Sequence, residues 1–169
     1  TVEIREVLAL SSELRFIADA MLGKLARWLR IMGYDTLYFR GRDKRELIRM
    51  AKAEERVLLS RDTRLLSRKK LPPNLFIRSD YPKEQLKEVS RRYNLSPGDK
   101  SLSLCSCCNV PIKRISKAHV EGEVPEYIYV QHTKFSQCPR CKRIFWQGSH
   151  YKTMIEGLAG LTGDDAREG

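Results

Sequence analysis

Two short apolar runs of this chain each end in an aspartate: Arg15-Phe16-Ile17-Ala18-Asp19 and Arg56-Val57-Leu58-Leu59-Ser60-Arg61-Asp62. A third, Leu75-Phe76-Ile77-Arg78-Ser79-Asp80, repeats the arrangement. Each run reads as a buried strand feeding a helix. In an open parallel sheet, ligands bind in the crevice beyond the carboxyl ends of the strands. Asp19, Asp62 and Asp80 placed there would repel one another unless a divalent cation sat between them. Oxygen-only ligands with open water positions suit magnesium or manganese. Such an ion polarises a phosphodiester and lowers the pKa of a water that attacks it. A fourth acid is expected from Asp43 or Glu46. Each aspartate also has a plainer reading, because Asp19, Asp43 and Asp62 precede helices and Asp is a favoured N-cap. Glu46, three residues after Asp43, completes the spacing of a capping box.

The second chemical constellation is sulfur. Five cysteines fall between residues 105 and 141 of a chain of 169. Cys105-x-x-Cys108 and Cys138-Pro139-Arg140-Cys141 are two CxxC knuckles separated by 29 residues. Four thiolates at this spacing make a structural zinc set, one ion per chain. Cys107 is surplus, since Cys105 with Cys108 has the better bite. Four protein thiolates leave no open position for water, so this metal is not the catalyst.

The elements that must position these groups follow from periodicity. A strand near Phe16–Ala18 leads to a helix from about Ala20 to Met32, with Leu22, Leu25, Ala26 and Leu29 on one face and Gly33 as its stop. Trp28 and Met32 read as core. Asp35–Phe39 is a second strand, Asp43–Glu54 a helix, Thr63–Lys70 a short basic helix, Leu75–Arg78 a strand, and Pro82–Tyr93 an amphipathic helix. Alternation of this kind predicts a three-layer α/β domain with a parallel sheet. The linker Asn94–Asp99 sets a boundary between an α/β domain over residues 1–98 and a zinc ribbon over residues 99–156. Residues 1–13 are expected to add a strand or a helical arm. Within the ribbon, Glu126–His132 and Arg143–Gln147 read as strands. The tail 157–169, rich in Gly and acids, reads as frayed.

Charge bears on the partner. The net charge is +11, with 23 Lys+Arg against 14 Asp+Glu in residues 1–100. A basic body around an acidic centre suits a polyanion approaching a metal site. Lys24, Arg27 and Arg30 recur every three residues along the first helix and are candidates for tracking an RNA backbone, as is Arg61. On the ribbon, the exposed tips carrying Lys113, Arg114, Lys142 and Arg143 are RNA-contact candidates. So is the aromatic-basic segment Phe145–Lys152, with Trp146 and His150. No apolar stretch reaches the roughly 20 residues of a membrane span, and no secretory pattern opens the chain, so a cytoplasmic protein is expected.

Taken together, Arg15–Asp35, Arg56–Asp62, both CxxC knuckles and Phe145-Trp-Gln-Gly-Ser-His150 resemble the Mut-seven C-terminal RNase family, PIN-like domains fused to a zinc ribbon. The likeness spans about residues 14–155. It implies a PIN-like, metal-dependent ribonuclease fold with Asp19 and Asp62 in the acidic centre and the middle acid at Asp43 or one residue away. The doubled cysteine at 107–108 departs from the family's usual single second cysteine. The expected function is an endoribonuclease using magnesium or manganese, with RNA, including tRNA or ribosomal RNA, as partner. The alternative is a non-catalytic RNA- or ribosome-binding factor on the same fold. A third reading is a protein-interaction adaptor docking through the ribbon.

Overall fold

A computed structural model describes residues 14–97 and 100–159. The runs of branched apolar residues form strands β1 (Phe16–Ala18), β2 (Thr36–Tyr38), β3 (Val57–Ser60) and β4 (Asn74–Phe76). All neighbours are parallel, in the order β2-β1-β3-β4, and Ile17 registers with Leu37 on one side and Leu58 on the other. β1 and β3 are buried along their whole length, which is why they carry unbroken apolar sequence.

Alternation along these strands divides the core in two. Phe16, Ala18, Val57 and Leu59 face Leu25 and Leu29 of helix α1 (Gly23–Ile31) and Leu86 and Val89 of helix α4 (Pro82–Tyr93). Ile17 and Leu58 face the other way, against Leu47 and Ala51 of helix α2 (Lys44–Ala53) and Leu65 of helix α3 (Thr63–Leu66). A helix layer on each face of a parallel sheet is the predicted three-layer α/β architecture. Each fully buried Leu or Phe contributes about 2 kcal/mol by leaving water. Trp28 and Met32 join the first of these cores, as their helical spacing predicts.

One helix ends earlier than the sequence suggests, and another stops at the glycine expected to end it. α3 stops at Leu66 rather than Lys70, because Arg68, Lys69 and Lys70 have no apolar side chain to seat on the sheet and Lys70 turns the chain at φ +58°. α1 ends just before Gly33, whose φ is +95° and whose missing Cβ leaves room for the Lys100 carbonyl; a Cβ there would sit 2.3 Å from that oxygen.

Beyond the linker, β5 (Lys113–Ile115), β6 (Phe135–Gln137) and β7 (Ile144–Phe145) form a three-stranded antiparallel sheet in sequential order. The segment predicted as a strand at Glu126–His132 is instead helix α5 (Glu126–Gln131). Pro125 precedes its first residue with a helix-compatible φ of −54°, its carbonyl accepts from the Ile128 and Tyr129 amides at 3.0 and 3.1 Å, and Glu126 supplies an acid in the first turn. Val120, Ile128 and Phe135 make the small core of this module.

The segment after the second knuckle returns to the α/β core. Helix α6 (Ser149–Ala159) runs through residue 156, and Met154 and Leu158 are buried in the core formed by α1, α4 and the sheet. Gly157 is therefore helical, and its apolar neighbours, not the acids that follow, decide its state. Residues 1–13 and 160–169, where an arm and a frayed tail are expected, lie outside the described residues. Among the described residues no helix is long and apolar enough to cross a membrane.

Candidate functional site

The chain runs from β1 outward to β2, then returns to place β3 on the other side of β1. The carboxyl ends of β1 and β3 therefore flank the point where strand order reverses, the usual ligand crevice of an open parallel sheet. Asp19 leaves β1 at this point and Ser60 ends β3. The Asp19 amide donates to Leu59 O at 3.0 Å, extending the ladder into the site. Asp19 is only 4% exposed. Its Oδ1 accepts from the Ala20 amide at 2.7 Å and from the Lys44 ammonium at 2.5 Å, and its Oδ2 accepts from the Ser60 hydroxyl at 2.9 Å. Ser60 Oγ in turn accepts from the Asp62 amide at 3.0 Å. One hydroxyl thus ties the two strand-end aspartates together. Asp62 Oδ1 caps α3 through the amides of Arg64 and Leu65 at 3.0 and 3.2 Å. Its Oδ2 has no partner among the described residues. Ser60 and Lys44 escape the sequence reading; their only signal is position, one ending the motif strand and the other following the helix cap.

The other two predicted acids stand apart. Asp43 is exposed and caps α2, accepting from the Arg45 amide at 2.9 Å and from its guanidinium at 3.2 and 3.3 Å. These hydrogen bonds from Arg45 hold its carboxyl below the usual range. Glu46 does not return to the cap; it pairs with Arg49 at 3.0 Å, so no reciprocal capping box forms. Asp80 lies past β4 with its side chain 76% exposed and pairs with Arg61. Among the described residues the four aspartates do not come together as three or more ligands within 4.8 Å.

Two of the predicted RNA-contacting arginines are engaged internally. Arg61 pairs with Asp80 and donates to the carbonyls of Ile77 at 3.4 Å and Arg78 at 3.2 Å, pinning the exit of β4. Lys24 and Arg27 are exposed, whereas Arg30 is buried. Arg30 donates to Thr36 O at 2.8 Å and to the carbonyls of Ser106 and Cys107 at 3.0 and 3.1 Å. It bolts the first cysteine knuckle to the start of β2, and burial pulls its pKa down. A period of three runs round the helix rather than along it, so the stripe's third member turns under the ribbon. Asn109 adds a second bolt, accepting from the Thr36 amide at 3.1 Å and donating to Asp35 at 2.7 Å; Asp35 also pairs with buried Arg56 at 2.8 Å.

The sulfur atoms of Cys105, Cys108, Cys138 and Cys141 all lie within 4.8 Å of one another, with Cys105 and Cys138 buried. Cys105 Sγ and Cys141 Sγ are 3.7 Å apart. A zinc ion bonded to sulfur at about 2.3 Å in a tetrahedron separates its ligands by about 3.8 Å, so the donor set fits zinc. Cys107 is outside the set. The Cys108 amide donates to Cys105 Sγ at 3.3 Å, and the amides of Arg140 and Cys141 donate to Cys138 Sγ at 3.4 Å each. Burial pushes the Cys105 thiol up to about 12. Burial opposes ionisation at Cys138 too, but the two amides prevail and hold its thiol down at about 7. Lys142 and Arg143 are exposed beside the second knuckle. Trp146 is half-buried, its ring edge-on to Phe135 with centroids 6.4 Å apart. The side chain of His150 lies outside the described residues.

No curated protein and no solved structure matches the chain. The family model described as the Mut7-C RNAse domain matches residues 14–158, a span that takes in the acidic edge, both knuckles and nearly all of α6. With a parallel α/β sheet and a four-cysteine module inside a match over most of its length, the chain belongs to the Mut7-C RNase domain family.

Proposed function

We propose that the protein is a metal-dependent ribonuclease whose reaction centre is the β1/β3 edge, with the cysteine module binding one structural zinc and helping to hold RNA. The observation that carries the reading is Asp19: a buried carboxylate at the sheet's reversal point, in direct contact with a cation. Burying a carboxylate is costly unless a positive charge or several donors meet it, and Lys44 with Ser60 and the Ala20 amide meets it here. The oxygen donors of Asp19 and Asp62 fit a hard cation, which would displace the Lys44 ammonium from Oδ1. A bound magnesium or manganese ion supplies polarisation of the phosphodiester and a water of lowered pKa. The protein's own part is positional. Ser60 fixes the plane of the Asp19 carboxylate and the path of the chain into Asp62, and Lys44, once released, offers its ammonium to a phosphate oxygen. Exposed Lys24 and Arg27 and the net charge of +11 draw in the polyanion. Asp43 and Asp80, each paired with an arginine, are outside this set in the conformation described. The substrate class is RNA of the cytoplasm, transfer and ribosomal RNA included.

A second reading, an RNA- or ribosome-binding factor without catalysis, draws support from the pairing of Asp19 with the protein's own lysine. Cleavage of labelled mixed RNAs in manganese separates the two. The nuclease requires cleavage by the wild type that stops with excess chelator and with Asp19→Asn while RNA binding is retained. Cleavage that survives either treatment overturns the metal mechanism, and binding without cleavage in any condition leaves the binding factor.

A further inference from the structure

The strand register of the cysteine module sets three side chains in one row. Arg114 of β5 pairs with Ser136 of β6, and Ser136 pairs with Phe145 of β7. Residues directly opposite one another share a face of a sheet. Ile115 and Phe135, one position along, belong to the opposite face and pack in the module's core. The Arg114–Ser136–Phe145 row is thus the outer face. It floors a recess of about 290 Å³, whose walls include Lys134, His132 and the indole of Trp146. No carboxylate lines it. Leu102 closes one side, and its amide donates to Ile31 O at 2.8 Å, which sets the recess against the end of α1.

We infer that this recess binds one splayed-out nucleotide of single-stranded RNA, its base on Phe145 and its phosphate between Arg114 and Lys134. The inference rests on the RNA-binding reading above and gives it a second contact point on the ribbon. Three observations lead to it. First, Phe145 is a half-buried aromatic with apolar neighbours, which suits stacking, and every base has a π-face to stack. Second, Arg114 and Lys134 are exposed cations on the rim with no ion-pair partner among the described residues. Third, the volume lies at the lower end of small-ligand pockets, enough for one nucleotide and too small for a duplex. The Trp146 wall is held in place from behind. Phe135 meets its ring edge, and Gly148 passes so close that an added Cβ would sit 3.2 Å from Nε1.

The test is fluorescence anisotropy with a labelled single-stranded RNA of about twelve nucleotides, in chelator-free buffer without added magnesium or manganese, so that the ribbon keeps its zinc and no cleavage is supported. Phe145→Ala should weaken binding about tenfold, and Phe145→Trp should restore it. Arg114→Ala should lower the slope of log K against log salt by about 0.7, the value for one lost phosphate contact on a single strand. Ser136→Glu, which places a carboxylate in the floor, should weaken binding at least as much as Phe145→Ala. Zinc content equal to wild type certifies the fold of each variant. Should Phe145→Ala lose zinc, Ser136→Glu and Arg114→Ala carry the test alone. Affinity and slope unchanged in folded variants overturn the recess, as does equal weakening on duplex RNA. If no form cleaves RNA yet Phe145→Ala still weakens binding, the recess stands and the nuclease reading falls. If cleavage follows Asp19 while binding ignores all three variants, the nuclease stands and the recess falls.

Discussion

The acidic edge and the thiolate centre solve the same electrostatic problem in opposite ways. At the thiolate centre four sulfur ligands come within 4.8 Å, met by backbone amides and by the contact between Cys105 and Cys141. The one charged side chain described against the first knuckle, Arg30, spends its donors on backbone carbonyls rather than on sulfur. At the acidic edge three carboxylates each take a cation from the chain, Asp19 with Lys44, Asp43 with Arg45 and Asp80 with Arg61, while Asp62 is met by the amides of α3 and joined to Asp19 through Ser60. The first arrangement suits an ion that is bound once and kept. The second suits charges that are exchanged whenever a ligand arrives.

The largest effect that could break this contrast is loss of zinc. The purified protein should carry about one zinc per chain, and Cys138→Ser or prolonged chelation should unfold the ribbon, because structural zinc sites of this type contribute on the order of 10 kcal/mol. Elemental analysis and thermal melting measure both. Cys107→Ser should keep its zinc; losing it would show that the fifth cysteine belongs to the set.

Next in size is Lys44. Without added magnesium or manganese and with zinc retained, Lys44→Ala leaves Asp19 buried without its cation and should cost about 2–3 kcal/mol of stability. Millimolar manganese should recover part of that loss through linkage and raise the variant's melting temperature more than the wild type's. Equal shifts in the two proteins would show that the edge does not trade lysine for metal. Asp19→Asn should lower the metal-free melting temperature, since the acids do not crowd one another and the substitution weakens a paired buried carboxylate.

A smaller effect tests the bolt between the regions. Hydrogen bonds from Arg56 and Asn109 outweigh the burial that opposes ionisation and hold the Asp35 carboxyl below its unfolded value of 3.8. A folded pKa below the unfolded one gives stability that is present above that value and lost as pH falls through the folded pKa. Melting between about pH 5 and pH 2 should therefore fall less steeply in Asp35→Asn, the difference being about 1 kcal/mol for a half-exposed pair. The smallest effect belongs to Asp80. Its side chain is 76% exposed, and Asp80→Asn should leave both cleavage and melting within error of wild type.

What the sequence yields and withholds divides along range. The α/β elements between Phe16 and Tyr93 follow from local period, because unbroken apolar runs and i, i+3, i+4 spacing depend on nearby residues alone. The CxxC pairs are legible for the same reason. Arg30 is not, since its two partners in the cysteine knuckle are 76 and 77 residues away and its spacing matches that of its solvent-facing neighbours. Lys44 and Ser60 are hidden likewise: only folding brings them to Asp19, across 25 and 41 residues. At Glu126–Gln131 the run Tyr-Ile-Tyr-Val has strand propensity, but Pro125 and a single buried position, Ile128, make it a helix. Gly157 was misleading because a glycine beside acids describes a tail only if no apolar side chain nearby has a core to enter, and Met154 and Leu158 do.

That last helix alters what the ribbon is. Since α6 follows the cysteine module in the chain but completes the core that precedes it, the module is an insertion between two pieces of one domain rather than an appendage. A stop after residue 100 would remove two buried side chains from the α/β core together with the ribbon. Clean excision instead requires a bridge from the linker to Ser149. The same order governs synthesis. As the chain emerges from the ribosome, the groove that receives Met154 and Leu158 stands open until the whole cysteine module has passed.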